Sequence, residues 1–144
     1  AIPCIYGEDE EFEIGKAKCL KEGKDLTIMA NGDTVSIALE AAKKLEEEGI
    51  HAQVYDFHTI KPLDVDAVNK AIEENGKIIT VEDHNIINGL GSAVCEIVAE
   101  AGKGKVHRIG VQDQFGESAP YEELLKKNGI TSENIVKCAQ DMID

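Results

Sequence analysis

Apolar residues follow two different repeats, which alternate along the chain. In the run DLTIMA, Leu26, Ile28 and Ala30 occupy every second position, which predicts a strand. In the next segment, apolar residues from Val35 to Leu45 recur at helical spacing, and Gly49 is placed to end that helix. Further strands are predicted in AQVYDF, KIITVED and KVHRIGV, and further helices around Val65–Ile72, Leu90–Ala101, Leu124–Leu125 and Ile135–Met142.

The helix predicted around Leu90–Ala101 carries an unusually wide apolar stripe. Its members are Leu90, Ala93, Val94, Ile97, Val98 and Ala101, and Gly102 is placed to end the helix. A stripe of this width is typical of a helix that neighbours cover on most sides. We therefore expect this helix to be well buried.

Strands that alternate with helices favour a parallel sheet with helices on both faces, which is a three-layer α/β domain. If the strand in DLTIMA lies between the next two strands, the chain leaves it in opposite directions and a crevice opens at the carboxyl ends. The loops ANGDT and EDHNIINGLG would line that crevice. Upstream, Phe12–Cys19 alternates loosely and predicts a short strand before a turn at Gly23.

The composition limits the class of protein. With 144 residues, of which 42% are hydrophobic, the chain can bury one core, so we expect a single domain. A formal net charge of −13 would repel a phosphate backbone and disfavours nucleic acid as a partner. No apolar stretch reaches the roughly 18 residues of a membrane span, and the first residues do not resemble a signal peptide. We therefore expect no membrane association and a soluble, cytoplasmic protein.

Two glycine-containing turns beside the crevice are candidates for anion binding. Their residues are Gly32, Asp33 and Thr34 in the first turn and Gly89, Gly91 and Ser92 in the second. Each turn opens a predicted helix, whose backbone N–H groups could meet a phosphate. Neither turn has the pattern GxxxxGK[ST] or GxGxxG, and Asp33, Glu82 and Asp83 add negative charge. A tight turn between strand and helix is the alternative interpretation.

His84 is the candidate for acid–base or metal chemistry, because Glu82 and Asp83 precede it. Adjacent strand residues point to opposite faces, so these carboxylates cannot share one ion unless the strand has already ended. The alternatives for His84 are a hydrogen bond across a domain or subunit interface and an ordinary loop position. No GxSxG motif is present. The four cysteines, Cys4, Cys19, Cys95 and Cys138, lack C-x-x-C spacing and are expected to be free, mostly buried thiols.

Four segments together resemble one protein family. They are EFEIGKAKCLKEGKDLTIMANGDTV, YDFHTIKPLD, TVEDHNIINGLGSAV and FGESAPYEELLKKNGIT. They are similar to the C-terminal domain of transketolase, especially in the short chains that form the C-terminal half of split transketolases. The resemblance implies that residues 12–144 form this domain and that residues 1–11 are a linker from a preceding domain. It also implies a mostly parallel five-stranded sheet with Phe12–Cys19 antiparallel at one edge, where spacing alone would also permit a hairpin with DLTIMA.

The resemblance implies an enzyme that moves a two-carbon ketol unit between sugar phosphates, with thiamine diphosphate as the electron sink. In that family an N-terminal and a middle domain hold thiamine diphosphate and Mg²⁺. The chain lacks the GDG and N-x-x signature for these groups, so we assign it no catalytic, cofactor-binding or metal-binding residue and expect it to be inactive alone. The expected partners are those two domains or the other subunit, in a dimer or other homo-oligomer of the pentose phosphate pathway.

Other functions remain as hypotheses. The chain could be an independent nucleotide- or anion-binding module that uses the two glycine turns. It could also be an enzyme in its own right that uses His84 with Glu82 or Asp83. Within the resemblance, it could be the equivalent domain of a deoxyxylulose phosphate synthase or of a 2-oxo acid dehydrogenase beta subunit. We favour a non-catalytic assembly domain, in which the crevice loops contact a neighbouring domain.

Overall fold

A computed structural model of the chain describes residues 14–85, 89–111 and 120–144, without the side chains of residues 84 and 85. The predicted linker, residues 1–11, lies outside these ranges. The elements in chain order are β1 (Lys18–Lys21), β2 (Leu26–Ala30), α1 (Thr34–Glu47), β3 (Ala52–Asp56), α2 (Val65–Glu74), β4 (Lys77–Asn85), α3 (Leu90–Ala101), β5 (Lys105–Val111), α4 (Tyr121–Lys127) and α5 (Ser132–Ile143). Among the described residues, no helix is long and apolar enough to cross a membrane.

The strands form one mixed sheet in the order β1-β3-β2-β4-β5. Strand β2 pairs in parallel with β3 on one side and with β4 on the other, and β5 extends the parallel part. Strand β1 is antiparallel to β3 at the edge. The predicted central position of β2 and the mixed five-stranded sheet are therefore confirmed.

The bounds predicted for the first strand were wrong. The predicted strand Phe12–Cys19 begins outside the described residues, and residues 14 and 15 form a turn in which Gly15 has a φ of 82°. Strand β1 starts only at Lys18 and pairs with β3, not with β2. The turn that follows is packed tightly, because a Cβ at Gly23 would lie 2.5 Å from the carbonyl carbon of Ala52. This close approach of two backbones favours glycine at the predicted turn.

Helices cover both faces of the sheet but not equally. One face packs against α1 and α5 in a cluster that includes Ile28, Leu45 and Ile135, all fully buried. The other face packs against α2 and α3 in a cluster that includes Met29 and Val68. The predicted ends of α1 and α3 are confirmed, since Gly49 and Gly102 have positive φ; glycines with positive φ also follow α2 and α4.

Helix α3 is less buried than its sequence predicts. Of its twelve residues, only Leu90, Gly91 and Val94 are buried. Within the predicted stripe, Ala93, Ile97 and Val98 are half-buried and Ala101 is exposed. The apolar pattern identified the helix correctly, but it could not show whether another element of this chain covers it. The expectation of a well-buried helix is therefore wrong for α3.

Candidate functional site: the crevice at the carboxyl ends of β2 and β4

The predicted crevice lies where the neighbouring parallel strands β2 and β4 end. Asp33 stands at the N-cap of α1, and Asp83 lies near the end of β4. The phenol oxygen of Tyr121 is 3.0 Å from Asp33 Oδ2 and 2.9 Å from Asp83 Oδ2. A phenol has one proton, so Tyr121 can donate to one of these carboxylates at a time. Tyr121, at the start of α4, thus bridges the loops that follow two different strands.

Tyr121 is held in its protonated form. Burial, together with hydrogen bonds to Asp83 and Asp33, raises the pKa of the Tyr121 phenol well above its ordinary value. The hydroxyl group therefore remains able to donate a hydrogen bond well above neutral pH. The role of this residue could not be predicted from the sequence, because Tyr121 lies 88 positions from Asp33 and 38 positions from Asp83. No local spacing signal connects them.

Glu82 points to the opposite face of the sheet and binds the N-terminus of α3. Its side chain is fully buried, and its two oxygens accept hydrogen bonds from the backbone N–H groups of Leu90 and Gly91, each at 2.8 Å. The N-cap residue of α3, Gly89, makes no side-chain cap. A carboxylate delivered by β4 therefore supplies the cap and interacts favourably with the helix dipole. Glu82 and Asp83 lie on opposite faces, as the strand alternation predicted.

Gly91 allows α3 to approach Glu82 closely. A Cβ at this position would lie 2.8 Å from Thr80 Oγ1 and 2.9 Å from two side-chain carbons of Arg108. Real Cβ atoms do not approach other atoms so closely without displacement, so either α3 or the side chains of Thr80 and Arg108 would have to shift. Gly91, one of the glycines that suggested a phosphate site, therefore allows α3 to pack closely against the sheet.

The N-terminus of α1 is also engaged within the chain. The backbone N–H groups of Thr34 and Val35 donate to the carbonyl groups of Asn31 and Gly32. The Thr34 hydroxyl oxygen lies 2.7 Å from the carbonyl oxygen of Asn31 and 2.8 Å from that of Val81. These bonds tie the start of α1 to the end of β2 and to β4. The first amides of the helix are therefore directed at the chain itself.

The described residues of the crevice do not fit a bound diphosphate and its metal ion. A diphosphate group needs free N–H donors or cations, whereas the N-terminus of α3 binds Glu82 and the mouth presents Asp33 and Asp83. Within the described parts of the chain, no group of three or more His, Cys, Asp or Glu side chains is arranged to hold a metal ion. We therefore derive no chemical step through thiamine diphosphate at this site.

The remaining candidates for chemistry are His84 and the cysteines. The His84 side chain lies outside the described residues, so its predicted roles stay predictions. Cys19 is exposed, and Cys95 and Cys138 are half-buried. The three thiols are free as predicted, but the expectation that they are mostly buried is wrong. Partial burial raises the pKa of each of these thiols, which disfavours a reactive thiolate at neutral pH.

A second concave feature lies beside α3. It is a groove of about 500 Å³ between the segment Ile60–Val65 and α3, which we call the α3 groove. Its lining residues are Ile60, Lys61, Leu63, Val65, Gly89, Ser92, Ala93, Glu96 and Ile97. Two residues of the predicted ligand or interface loops, Gly89 and Ser92, therefore face this groove. The crevice itself brings together Asp33, Asp83 and Tyr121. Gly32 lies beside them, because a Cβ added at this position would be 3.9 Å from Asp83 Oδ1.

The fold and the crevice define a three-layer α/β domain of the doubly wound type. The N-termini of α1 and α3, which flank the crevice, form hydrogen bonds with other groups of the same chain. A model of the transketolase C-terminal domain matches residues 15–135. The chain belongs to the transketolase C-terminal domain family.

Similar proteins include subunits of split enzymes. The chain is 47% identical over 136 residues to a Methanocaldococcus jannaschii protein provisionally named transketolase C-terminal section, covering 92% of this chain and 42% of that protein. It is 41% identical over 140 residues to a 6-deoxy-6-sulfo-D-fructose transketolase subunit from a Clostridium species, covering 97% of this chain and 44% of that subunit. A solved split-gene transketolase, an inactive beta4 tetramer, has a TM-score of 0.92 at 42% identity, covering 99% of this chain and 46% of its own. The chain thus spans less than half of the length of these relatives.

Proposed function

We propose that the chain is the non-catalytic assembly domain of a transketolase that transfers a two-carbon ketol unit between sugar phosphates. One observation carries the proposal: the crevice, where a doubly wound domain usually binds its ligand, is engaged by the chain's own groups. Glu82 binds the N-terminus of α3, and Tyr121 bridges Asp33 and Asp83. Thiamine diphosphate and Mg²⁺ would be bound by the N-terminal and middle domains of the complete enzyme.

The lengths of the relatives support the proposal that this chain serves assembly while other domains bind the cofactor. The chain matches less than half of each relative reported above, two of which are named as sections or subunits of transketolases. The domain would join the rest of the enzyme in a cytoplasmic homo-oligomer. One relative is named for a sulfonated sugar, so the substrate of the enzyme to which this chain contributes is best determined by assay with several ketose and aldose phosphates.

A reconstitution assay tests the proposal. Ketose and aldose phosphates, thiamine diphosphate and Mg²⁺ are supplied to this chain alone, to the rest of the enzyme alone and to both together. We expect ketol transfer only in the mixture. Turnover by this chain alone would contradict the proposal and favour an independent enzyme, which His84→Ala would then test. In a parallel assay, pyruvate replaces the ketose phosphate; its condensation with the aldose phosphate by the mixture, with release of CO₂, would instead favour a deoxyxylulose phosphate synthase.

A ligand-dependent melting experiment tests the anion-binding alternative. Inorganic pyrophosphate and a nucleoside triphosphate are added to the chain at millimolar concentration, and the midpoint of thermal unfolding is measured. We expect no increase beyond that produced by an equal ionic strength of chloride salt. A rise of several degrees that Gly32→Ala or Ser92→Ala removes would favour an independent anion-binding module.

A further inference from the structure

A further pocket lies at the amino ends of β2 and β3, at the opposite edge of the sheet from the crevice. Its volume is about 550 Å³, and we call it the amino-end pocket. It is lined by residues 22–24 and His51, which precede the two strands, by Gln53 of β3, and by Lys70 and Glu74 of α2. We infer that this pocket binds a free α-amino acid. The inference is independent of the proposed assembly function.

A buried amide with a fixed orientation forms part of the pocket lining. Gln53 is only 4% exposed, and its Nε2 atom donates a hydrogen bond to Thr27 Oγ1 at 3.2 Å. Thr27 Oγ1 also accepts a hydrogen bond from Asn75 Nδ2 at 3.1 Å. Within the described parts of the chain, Gln53 Oε1 accepts no hydrogen bond. An amide oxygen in so buried a residue is costly without a donor, which favours a ligand that donates to it.

The two turns that line the pocket are fixed to each other. The backbone N–H group of Asp25 donates to the carbonyl oxygen of His51 at 2.9 Å, and Asp25 Oδ2 accepts from the backbone N–H group of His51 at 2.7 Å. Close packing of Gly23 on the backbone of Ala52 adds a third contact. The pocket is therefore formed before a ligand arrives, which lowers the entropic cost of binding.

The pocket lining carries charges of both signs. Lys70 Nζ lies 3.6 Å from Glu74 Oε1, so these two side chains largely neutralise each other. Glu22 and Lys24 are exposed, and neither forms an ion pair in the part of the chain that the structure describes. Burial raises the pKa of the Cys19 thiol and the Glu22 carboxylate adds to the rise, which places Glu22 on the β1 side of the pocket. One acidic and one basic group are therefore left for a ligand.

This combination of groups determines the class of ligand. An anion such as phosphate would be repelled by Glu22 and by the net charge of −13, and a simple cation would be repelled by Lys24 and Lys70. An apolar ligand would leave Gln53 Oε1 without a donor.

An α-amino acid has no net charge at neutral pH and carries both of the complementary groups. Its ammonium group would donate to Glu22 and to Gln53 Oε1. Its carboxylate would bind Lys24 and accept a hydrogen bond from the His51 ring. Hydrogen bonds between charged groups are stronger than those between neutral groups, so the zwitterion is favoured over an uncharged sugar. The volume of the pocket is typical of small-molecule sites and also accommodates the side chain of the amino acid.

Nuclear magnetic resonance of the ¹⁵N-labelled chain tests the inference. Each of the standard L-amino acids is titrated in turn at neutral pH, with inorganic phosphate and ribose as an anionic and an uncharged probe. We expect at least one amino acid to shift the backbone signals of Gly23 and His51 and the side-chain amide signals of Gln53, with a Kd of about 1 mM or below. Phosphate and ribose should leave these signals unchanged.

Two derivatives of the best-binding amino acid separate its charged groups. The N-acetyl derivative lacks the ammonium group, and the primary amide lacks the carboxylate. Each should bind the unmodified chain about tenfold more weakly. Glu22→Gln should remove the preference over the N-acetyl derivative alone, and Lys24→Gln the preference over the amide alone, because each variant lacks the partner of one group.

Matched controls neutralise the same charges on the other side of the sheet. Lys43→Gln and Glu47→Gln alter exposed positions of α1 and should leave the Kd within about twofold of that of the unmodified chain. Thermal unfolding of every variant checks that the fold is retained.

Three results would overturn the inference. They are the absence of a response to all of the amino acids, an equal or stronger response of the same signals to phosphate or ribose, and a preference for the zwitterion that persists in both pocket variants. The reconstitution assay is separate, because a chain that completes the enzyme without binding any amino acid would refute this inference and leave the assembly function intact. A chain that binds an amino acid but fails to complete the enzyme would do the reverse.

Discussion

The two faces of the central sheet differ in how completely this chain covers them. On one face, α1 alone buries six residues, and Lys44 Nζ lies 2.8 Å from the Ser132 hydroxyl of α5. On the other face, α3 buries three residues, although Ser92, Glu96 and Glu100 are its only polar side chains. The face that carries α1 and α5 therefore has a complete core, and the face that carries α3 has a partial one. The difference indicates that the sequence of α3 is suited to contacts beyond those made within the chain.

The largest expected effect comes from a pair of matched truncations on the two faces. Ile135 of α5 is fully buried, whereas Ile97 of α3 is half-buried. Ile135→Ala should lower the free energy of unfolding by about 3 kcal/mol, and Ile97→Ala by about 1 kcal/mol, because less apolar contact is lost. Urea unfolding at low chain concentration measures both. Equal losses would show that the two faces are equally complete.

A smaller effect is expected at the start of α3. In Glu82→Gln, an NH₂ group replaces one of the two oxygens that accept backbone N–H bonds, so one donor loses its partner in a buried site. We expect a loss of about 2 kcal/mol in the free energy of unfolding. Glu100→Gln is the control, because Glu100 is exposed near the other end of the same helix, and should cost about 0.5 kcal/mol or less. Similar losses for both variants would refute the anchoring role of Glu82.

The smallest effect is expected at Tyr121, and it depends on pH. The pKa of this phenol is raised in the folded chain, so its stabilising contribution is fully present below the unfolded value of about 10 and declines as the pH rises above it. Tyr121→Phe should lose about 0.5 to 1 kcal/mol at neutral pH, and the difference from the unmodified chain should shrink above about pH 10. Burial also raises the pKa of Tyr55, but that contribution is present in both proteins and cancels.

A pH titration of unfolding by urea measures this difference directly. Because Tyr121 is 45% exposed, solvent screening keeps its contribution small. A difference that stays constant, or grows, between about pH 8 and 11 would show that the two carboxylates do not hold the phenol in its protonated form.

The sequence predicted the parts of the fold that depend on local repeats. Alternation identified β2, helical spacing identified α1 and α3, and glycines marked the helix ends, because backbone conformation and pattern are linked locally. The edge strand β1 was misplaced because an edge strand is covered by few neighbours and shows only loose alternation. The burial of α3 was overestimated because periodicity reports which residues are apolar and not what covers them.

The candidate site was predicted less completely than the fold. The crevice lies at the predicted edge, since parallel strands end at the same edge of the sheet. The predicted loop EDHNIINGLG began too early, because β4 continues to Asn85. The roles of Glu82 and Tyr121 were missed. For Glu82 a signal existed: it lies eight residues before Leu90, in a strand that leads to a helix whose N-cap is a glycine. For Tyr121 the sequence contains no such signal, because its partners Asp33 and Asp83 belong to other elements, far away along the chain.

Amide hydrogen exchange of the unmodified chain, followed by mass spectrometry, tests most directly whether the face that carries α3 is less completely packed than the face that carries α1. Exchange is measured at early times for peptides from α1 and α3 at low chain concentration. We predict that the amides of α3 exchange faster than those of α1, because fewer residues of α3 are buried. Equal protection of the two helices, or slower exchange in α3, would contradict the difference between the two faces.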